Sequence, residues 1–291
     1  MTLWGFVLRF CFGGIKSHIL FGCLDLFRNL MSFQKENEDK PKLAKNETIK
    51  EASNLLRGTI AEGLLDESTG ALASDDTQLT KFHGIYQQDD RDIRRERRKA
   101  KLEPAYSFMT RVRLPGGVCT PQQWLDMDAF CTDYANGTLK LTTRQAFQLH
   151  GIIKKNLKLT IRKINDSLMD TVAACGDVNR NVLCNPNPYQ SILHAEALEI
   201  ARAISDHLTP ATRAYHEIWL EDENGEKQKI TEAPEPEFEP IYGKTYLPRK
   251  LKTAVALPPC NDVDIFASDL GFVAVIEDDK IVGYTVTVGG G

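Results

Sequence analysis

The chain lacks most of the features that mark specialised proteins. It has no Cys-x-x-Cys pair. Its seven cysteines (Cys11, Cys23, Cys119, Cys131, Cys175, Cys184 and Cys260) are odd in number and scattered, which argues against a disulfide scaffold and a paired-cysteine zinc site and fits a reducing, cytoplasmic compartment. It has no excess of either charge: 36 Lys plus Arg against 40 Asp plus Glu give a formal net charge of −4. A chain built as a whole to coat nucleic acid or an anionic membrane is thereby disfavoured. No stretch reaches the roughly 18 uncharged apolar residues that a spanning helix needs, and no internal repeat is visible. What is present, 42% hydrophobic and 26% charged residues in a chain of 291, is the balance of a globular protein with room for one large or two ordinary domains.

Residues 1–30 differ from the rest. They are rich in Phe, Leu and Gly, and Arg9, Lys16, Asp25 and Arg28 interrupt their apolar runs. They read as a segment translated ahead of a natural start at Met31, with a leader or an amphipathic anchor as the alternatives. From Thr48 a single helix is expected: Thr48-x-x-Glu51 forms a capping box, and Ile49, Ala52, Leu56, Ile60 and Leu64 share one face. Residues 66–76 are turn-rich, and residues 81–92 show no clear period. The basic run Arg94, Arg95, Arg97, Arg98, Lys99 and Lys101 reads as a solvated helix face or as a partner surface.

From Tyr106 the period becomes two. Phe108, Thr110, Val112 and Leu114 alternate with Met109, Arg111 and Arg113, so two arginines share one face of a strand. Thr120-Pro121-x-Gln123 opens a helix carrying Trp124, Met127 and Cys131. Strands follow at Leu139–Leu141 and Ala146–Gly151, then a helix through Leu157, Ile161, Ile164 and Leu168. Strand, helix, strand, strand, helix is an α+β arrangement with helices on one side of a sheet. Cys175–Asn181 looks too polar for a core element. A long helix capped at Asn187-Pro188, a strand at Tyr215–Leu220, an acidic loop over 221–243, a strand at Thr253–Leu257 and a hairpin over Phe272–Val288 turning at Asp278-Asp279 complete the chain.

Basic residues recur beside Gly, Asn and Thr: Arg111 and Arg113, Lys140 and Arg144, Arg180, then Arg249, Lys250 and Lys252. Guanidinium forks with mobile lysines suit a small oxyanion or a polycarboxylate. Ordinary surface cations are the alternative that the residues alone leave open, and single histidines such as His83 and His150 read as structural more often than catalytic.

Six ordered motifs span about 230 residues: Leu56-Arg57-Gly58-Thr59-Ile60-Ala61-Glu62; Phe82-His83-Gly84-Ile85-Tyr86 through Asp92; Arg113-Leu114-Pro115-Gly116-Gly117; Leu141-Thr142-Thr143-Arg144-Gln145 with Phe147-Gln148-Leu149-His150-Gly151; Asn179-Arg180-Asn181-Val182; and Tyr246-Leu247-Pro248-Arg249-Lys250-Leu251-Lys252. On these the chain resembles the siroheme-containing nitrite and sulfite reductase family, on its NADPH-linked, sulfite-reducing side. The resemblance implies an α+β fold. Residues 1–30 would be a spurious or leader segment, 31–105 a polar extension with a flavoprotein-docking helix, 106–172 a ferredoxin-like half-domain, and 173–291 a siroheme and iron–sulfur module incomplete at its C-terminus.

It also implies roles for the cations. Arg111, Arg180, Lys250 and Lys252 match the family's sulfite-binding residues. Arg113, Lys140, Arg144, His150 and Arg249 fall where siroheme is held, Lys140 keeping the charge but losing the fork that relatives often have there. The implied cofactors are siroheme and a [4Fe-4S] cluster. The implied partners are sulfite and a flavoprotein (alpha) subunit, with neither nucleic acid nor membrane. The family's cluster ligands come as Cys-x5-Cys and Cys-x3-Cys, and none of the seven cysteines has either spacing, so no metal-ligating residue is assigned and the chain alone is expected to lack sulfite reduction. A ferredoxin-dependent sulfite or nitrite reductase fragment and a non-catalytic flavoprotein-binding module are the competing readings.

Overall fold

Alternation along one strand sets the first layer. In the computed structural model, which describes residues 8–9, 44–211, 219–221, 225, 227–229, 239–243 and 250–290, Phe108, Thr110 and Val112 are fully buried along a strand at Tyr106–Val112. The described β-strands, in chain order, are β1 (Leu8–Arg9), β2 (Ile85–Asp89), β3 (Tyr106–Val112), β4 (Leu139–Leu141), β5 (Phe147–Ile152), β6 (Trp219–Glu221), β7 (Lys227–Lys229), β8 (Thr253–Ala256), β9 (Leu270–Glu277) and β10 (Lys280–Val288). β2, β3, β5 and β4 form one antiparallel sheet in that order. Two helices cover one face of it, α5 (Pro121–Asp133) and α6 (Lys154–Asp166). Met127 and Cys131 from α5 and Leu157 and Ile164 from α6 pack with Phe108, Val112, Phe147, Leu149 and Ile152 in one core. The α5 start is as expected: Pro121 is its first residue, the Thr120 hydroxyl accepts from Gln123 N, and the Gln123 side chain returns to Thr120 N.

The second sheet runs β1-β10-β9-β8, antiparallel except for the parallel β8–β9 pair. The β9–β10 hairpin turns at Asp278 and Asp279, both at positive φ (49° and 56°), as a two-residue hairpin loop requires. The long helix α7 (Ile192–His207) packs on this sheet through Ala197, Leu198 and Ala201. Its cap is Ser191, whose hydroxyl accepts from His194 N, rather than Asn187-Pro188. β6 and β7 form a separate antiparallel pair: β6 begins within the strand expected at Tyr215–Leu220, of which only residues 219 and 220 are described, and β7 lies in the stretch expected to be an acidic loop.

Three expectations fail for physical reasons. The helix from Thr48 is two short ones, α1 (Lys45–Glu51) and α2 (Ile60–Leu65), and Thr48 lies inside α1. Asn54, Leu55 and Leu56 have φ of 50°, 60° and 71°. The Ser53 hydroxyl donates to Lys50 O and accepts from Leu56 N, so it closes the turn in place of the helix. The break delivers Leu56 to a core with Leu79, Phe82 and Val178; burial outweighs the helical period. Residues 81–92 contain β2, and two further short helices flank it, α3 (Asp76–Leu79) and α4 (Arg94–Lys99). The basic run forms α4 and is largely exposed.

The third correction matters most. Cys175–Asn181 is buried despite its polarity, with Cys175 and Val178 fully enclosed and Asn179 and Asn181 almost so. Its continuation runs parallel to β8 through bridges Asn179–Leu251 and Leu183–Ala254. Its polar groups are all but consumed internally. Asn179 Oδ1 accepts from the Thr253 hydroxyl. Asn181 Oδ1 accepts from Leu114 N at 2.8 Å, and Asn181 Nδ2 lies within hydrogen-bond distance of the carbonyls of Leu114, Arg144 and Gln145 at 2.7, 2.8 and 3.1 Å. Polar residues enter a core when they find such partners.

Glycine completes the junction. Gly116 and Gly117 both sit at positive φ; a Cβ on Gly116 would lie 2.5 Å from Leu198 Cδ1, and one on Gly117 2.8 Å from Gln145 Cβ. The Pro115-Gly116-Gly117 turn can therefore press against α7 and the Gln145 loop only without side chains.

Replacing Asn181 with Ala should lower unfolding stability by about 2–4 kcal/mol, because buried amide and carbonyl groups lose their partners. The urea midpoint should fall at an unchanged denaturant slope. His83 gives a pH signature. Its Nε2 lies 3.1 Å from Leu56 O, and burial, with Arg57 adding, pushes its pKa below 6.5. The unfolded chain takes a proton that the folded chain resists, so stability should be lost as pH falls from 6.5 toward the folded value. Between pH 7.5 and 5.5 the urea midpoint should drop, and His83→Gln should make that drop smaller.

Candidate functional site

The face of the first sheet opposite its helices is polar. On β2, β3 and β5 the same alternation that buries Phe108, Val112, Phe147 and Leu149 turns Tyr86, Gln88, Arg111, Gln148 and His150 the other way, with Arg111 directly opposite Gln148 across the β3–β5 pair. Lys140 of β4 also pairs with Gln148. Beside this face lies a cavity of about 430 Å³ where the two sheets' connecting loops meet.

Five cations line that cavity: Arg111, Arg144, Arg180, Lys250 and Lys252. Each arrives by a local cause. Arg111 comes from β3. Arg144 sits in the β4–β5 loop, fixed by Thr142 N donating to Ala146 O and by the two-way link between the Gln145 side chain and the backbone of Cys184. Arg180 belongs to the buried polar segment, its N donating to Leu251 O. Lys250 and Lys252, two apart on the extended approach to β8, both reach the cavity.

What holds these cations is as important as where they lie. Arg111 donates to Gln148 Oε1 from Nε (3.1 Å) and Nη2 (3.0 Å), and from Nη1 to Ala174 O and Cys175 Sγ. Arg180 donates to Gly176 O and Ala174 O. Arg144 Nη2 donates to Asn181 O and Thr253 O, both at 2.9 Å. Lys252 Nζ donates to Ala267 O at 2.7 Å. The contacts are neutral carbonyls, one side-chain amide and the Cys175 thiol. Among the described residues none of the five forms an ion pair within 4.0 Å, and Asp264 is the one carboxylate on the cavity wall. The cavity thus keeps a net positive charge, five cations against one carboxylate on its wall, the electrostatics of an anion site.

Arg144 shows the cost. Burial lowers its pKa to about 10, opposed by Asp269 and reinforced by Arg180, so it stays charged at neutral pH. Its Nε is buried without a hydrogen-bond partner. Burial likewise raises the Cys175 thiol and the Tyr86 hydroxyl above their ordinary ranges, which keeps both neutral beside Arg111 and Arg180.

The other expected site residues lie elsewhere. Arg113 does not reach the cavity: it pairs with both carboxylate oxygens of Asp170 (3.2 and 2.7 Å) and donates to the hydroxyls of Ser205 and Thr209. It ties the first sheet to α7. Lys140 is exposed on the Arg111 face but outside the cavity lining. His150 is also outside the lining, with both ring nitrogens engaged by glutamine side chains. Arg249 lies outside the described residues. Sequence reasoning passed over Gln148 and Asn181 as working residues. The signal for Gln148 was its place between Phe147 and Leu149, which puts it on the Arg111 face.

An anionic, carboxylate-rich ring cofactor fits this cavity's donor set, including the orphaned Arg144 Nε. An iron–sulfur cluster does not fit the residues present. The five cysteines in the described residues are free and spread over separate elements, and no group of three or more His, Cys, Asp or Glu among the described residues could hold a metal ion. No helix among the described residues is long and apolar enough to cross a membrane.

Comparison with known proteins agrees with the geometry. Residues 101–166 match the family described as nitrite/sulfite reductase ferredoxin-like half domain, and residues 199–291 match the nitrite and sulphite reductase 4Fe-4S domain. The chain is 60% identical over 258 residues to the sulfite reductase [NADPH] hemoprotein beta-component of Staphylococcus haemolyticus, covering 89% of this chain and 44% of that protein. It is 62% identical over 255 residues to the protein of the same description from Myxococcus xanthus (88% and 44%). The solved structure of the Mycobacterium tuberculosis NirA protein shares the fold, with a TM-score of 0.60 at 23% identity, covering 87% of this chain and 42% of that one. The chain therefore spans less than half the length of the curated relatives it matches.

Proposed function

Because the chain belongs to the nitrite and sulfite reductase family, whose membership implies siroheme and an iron–sulfur cluster, we propose that it forms the cationic part of a sulfite reductase hemoprotein. The complete protein would reduce sulfite to hydrogen sulfide for sulfate assimilation and cysteine biosynthesis in the cytoplasm. Electrons would arrive from a flavoprotein subunit. The observation that carries this reading is the convergence of five cations around one cavity, four of them held by neutral acceptors.

Sulfite carries two negative charges, and its conversion to sulfide takes up six electrons and releases each oxygen as water. Siroheme, when bound, supplies the iron that takes the sulfur and delivers the electrons. The residues of this chain do the rest. Arg111 and Arg180 neutralise the oxyanion through guanidinium groups that their carbonyl and amide contacts hold in place. Lys250 and Lys252, which line the same cavity, would hand protons toward the departing oxygens. Arg144 offers its unpartnered Nε to a carboxylate of the ring. The family resemblance would put Arg249, next to Lys250 in sequence, at the same rim. Cluster ligands are proposed to come from sequence beyond this chain, so the chain by itself should make no sulfide with a viologen reductant.

Absorbance titration of siroheme into the purified chain tests the cofactor assignment. Arg144→Met should weaken binding by about tenfold or more, the loss expected for a buried charge-assisted hydrogen bond. In a complete hemoprotein carrying this sequence, Lys252→Ala should lower sulfite turnover by about a hundredfold while the siroheme spectrum is kept. Unchanged turnover would remove Lys252 from the reaction.

A further inference from the structure

The polar face of the first sheet holds a continuous hydrogen-bond chain that ends on Arg111. Arg111 Nε and Nη2 both reach Gln148 Oε1. Gln148 Nε2 is 2.6 Å from His150 Nε2, and His150 Nδ1 is 3.1 Å from Gln88 Oε1. Polarity along this chain has one solution. A guanidinium can only donate, so Gln148 must present its oxygen to Arg111 and its NH2 to His150. His150 Nε2 must then be the bare acceptor, and Nδ1 carries the proton and donates to Gln88. The four side chains come from three neighbouring strands, β2, β3 and β5, so the sheet itself sets their spacing.

From this directionality the geometry points to Gln148 and His150 as positioning residues: neutral His150, in its Nδ1–H form, fixes the Gln148 amide so that its oxygen anchors Arg111 at the edge of the cationic cavity. The inference rests on the reading of Arg111 as an oxyanion-binding residue and adds what orients it. It gives His150 a place other than direct contact with the cofactor rim. A second proton on His150 would set Nε2–H against the Gln148 NH2. Relief would require the amide to flip, and the flipped NH2 would then face the guanidinium, leaving Arg111 Nε and Nη2 without their acceptor and only Nη1 held, by Ala174 O and Cys175 Sγ. The surroundings oppose that proton. Burial, then Lys140 and Arg111, push the His150 pKa below 6.5. Besides these two cations, the groups meeting the ring are the neutral amides of Gln88 and Gln148.

Imidazole and arginine nitrogen NMR on the full 291-residue chain provides the test, with no cofactor needed. At pH 7 His150 should show the Nδ1–H neutral pattern, and the Arg111 Nε–H signal should be protected from exchange. Acidification through the His150 midpoint, below pH 6.5, should abolish that protection. Gln148→Glu keeps an oxygen for Arg111 and supplies a carboxylate to His150, so the Arg111 signal should survive while the His150 midpoint rises above 6.5. Gln148→Leu should lose the Arg111 signal at every pH. An Nε2–H tautomer, or Arg111 protection indifferent to both pH and Gln148→Leu, would overturn the proposal. Failure of the siroheme reading would show in the titration of the cofactor and leave these signals as they are.

Discussion

One buried side-chain amide holds the site together. Asn181 contacts Leu114 at the end of β3 through both N–H and C=O, and it reaches the carbonyls of Arg144 and Gln145 on the β4–β5 loop. Its own backbone carbonyl accepts from the Arg144 guanidinium. Three segments that are distant in sequence thus meet on one residue, and three of the five cavity cations, Arg111, Arg144 and Arg180, belong to or adjoin those segments. An apolar residue of similar size would fill the space but leave Leu114 N, Arg144 O and Gln145 O without partners, while Leu114 O would keep only Gly117 N, which is why a polar residue is the stable solution in this core.

The second constraint is electrostatic. Gathering like charges is unfavourable, and proteins usually offset it with carboxylates, as Asp170 does for Arg113. Arg111, Arg144, Arg180 and Lys252 are held by carbonyl oxygens, one glutamine and one thiol instead. Such contacts fix geometry and solvate the cation without cancelling its charge, so the field remains available to an incoming anion. The depressed pKa of Arg144 is the visible cost of that choice. Arg113 and Arg144 carry the same group and are both largely enclosed, and their partners alone assign one to architecture and the other to the cavity.

Much of this was legible in the sequence. Period-two alternation located β3 and β5 and correctly put Arg111 on the face away from the core, and Thr120-Pro121-x-Gln123 marked the start of α5. The family resemblance named nine residues in two roles, and five of them, Arg111, Arg144, Arg180, Lys250 and Lys252, line the one cavity. Failures came where tertiary contacts overrule local pattern. Leu56 left its helical face because a core with Phe82 and Val178 claimed it. The Cys175–Asn181 segment looked like surface because its partners, Leu114, Arg144 and Thr253, are remote in sequence. Arg113 looked like Arg111 because two residues apart on a strand share a face; Asp170, 57 positions away, separates them.

The central claim is that Asn181 and Arg144 act as one unit in shaping the cavity. A double-mutant cycle on siroheme affinity, measured by absorbance for the parent chain, Asn181→Ala, Arg144→Met and the pair, tests it most directly. The account predicts strong non-additivity, with Arg144→Met costing little once Asn181 is gone. Fully additive losses would contradict it.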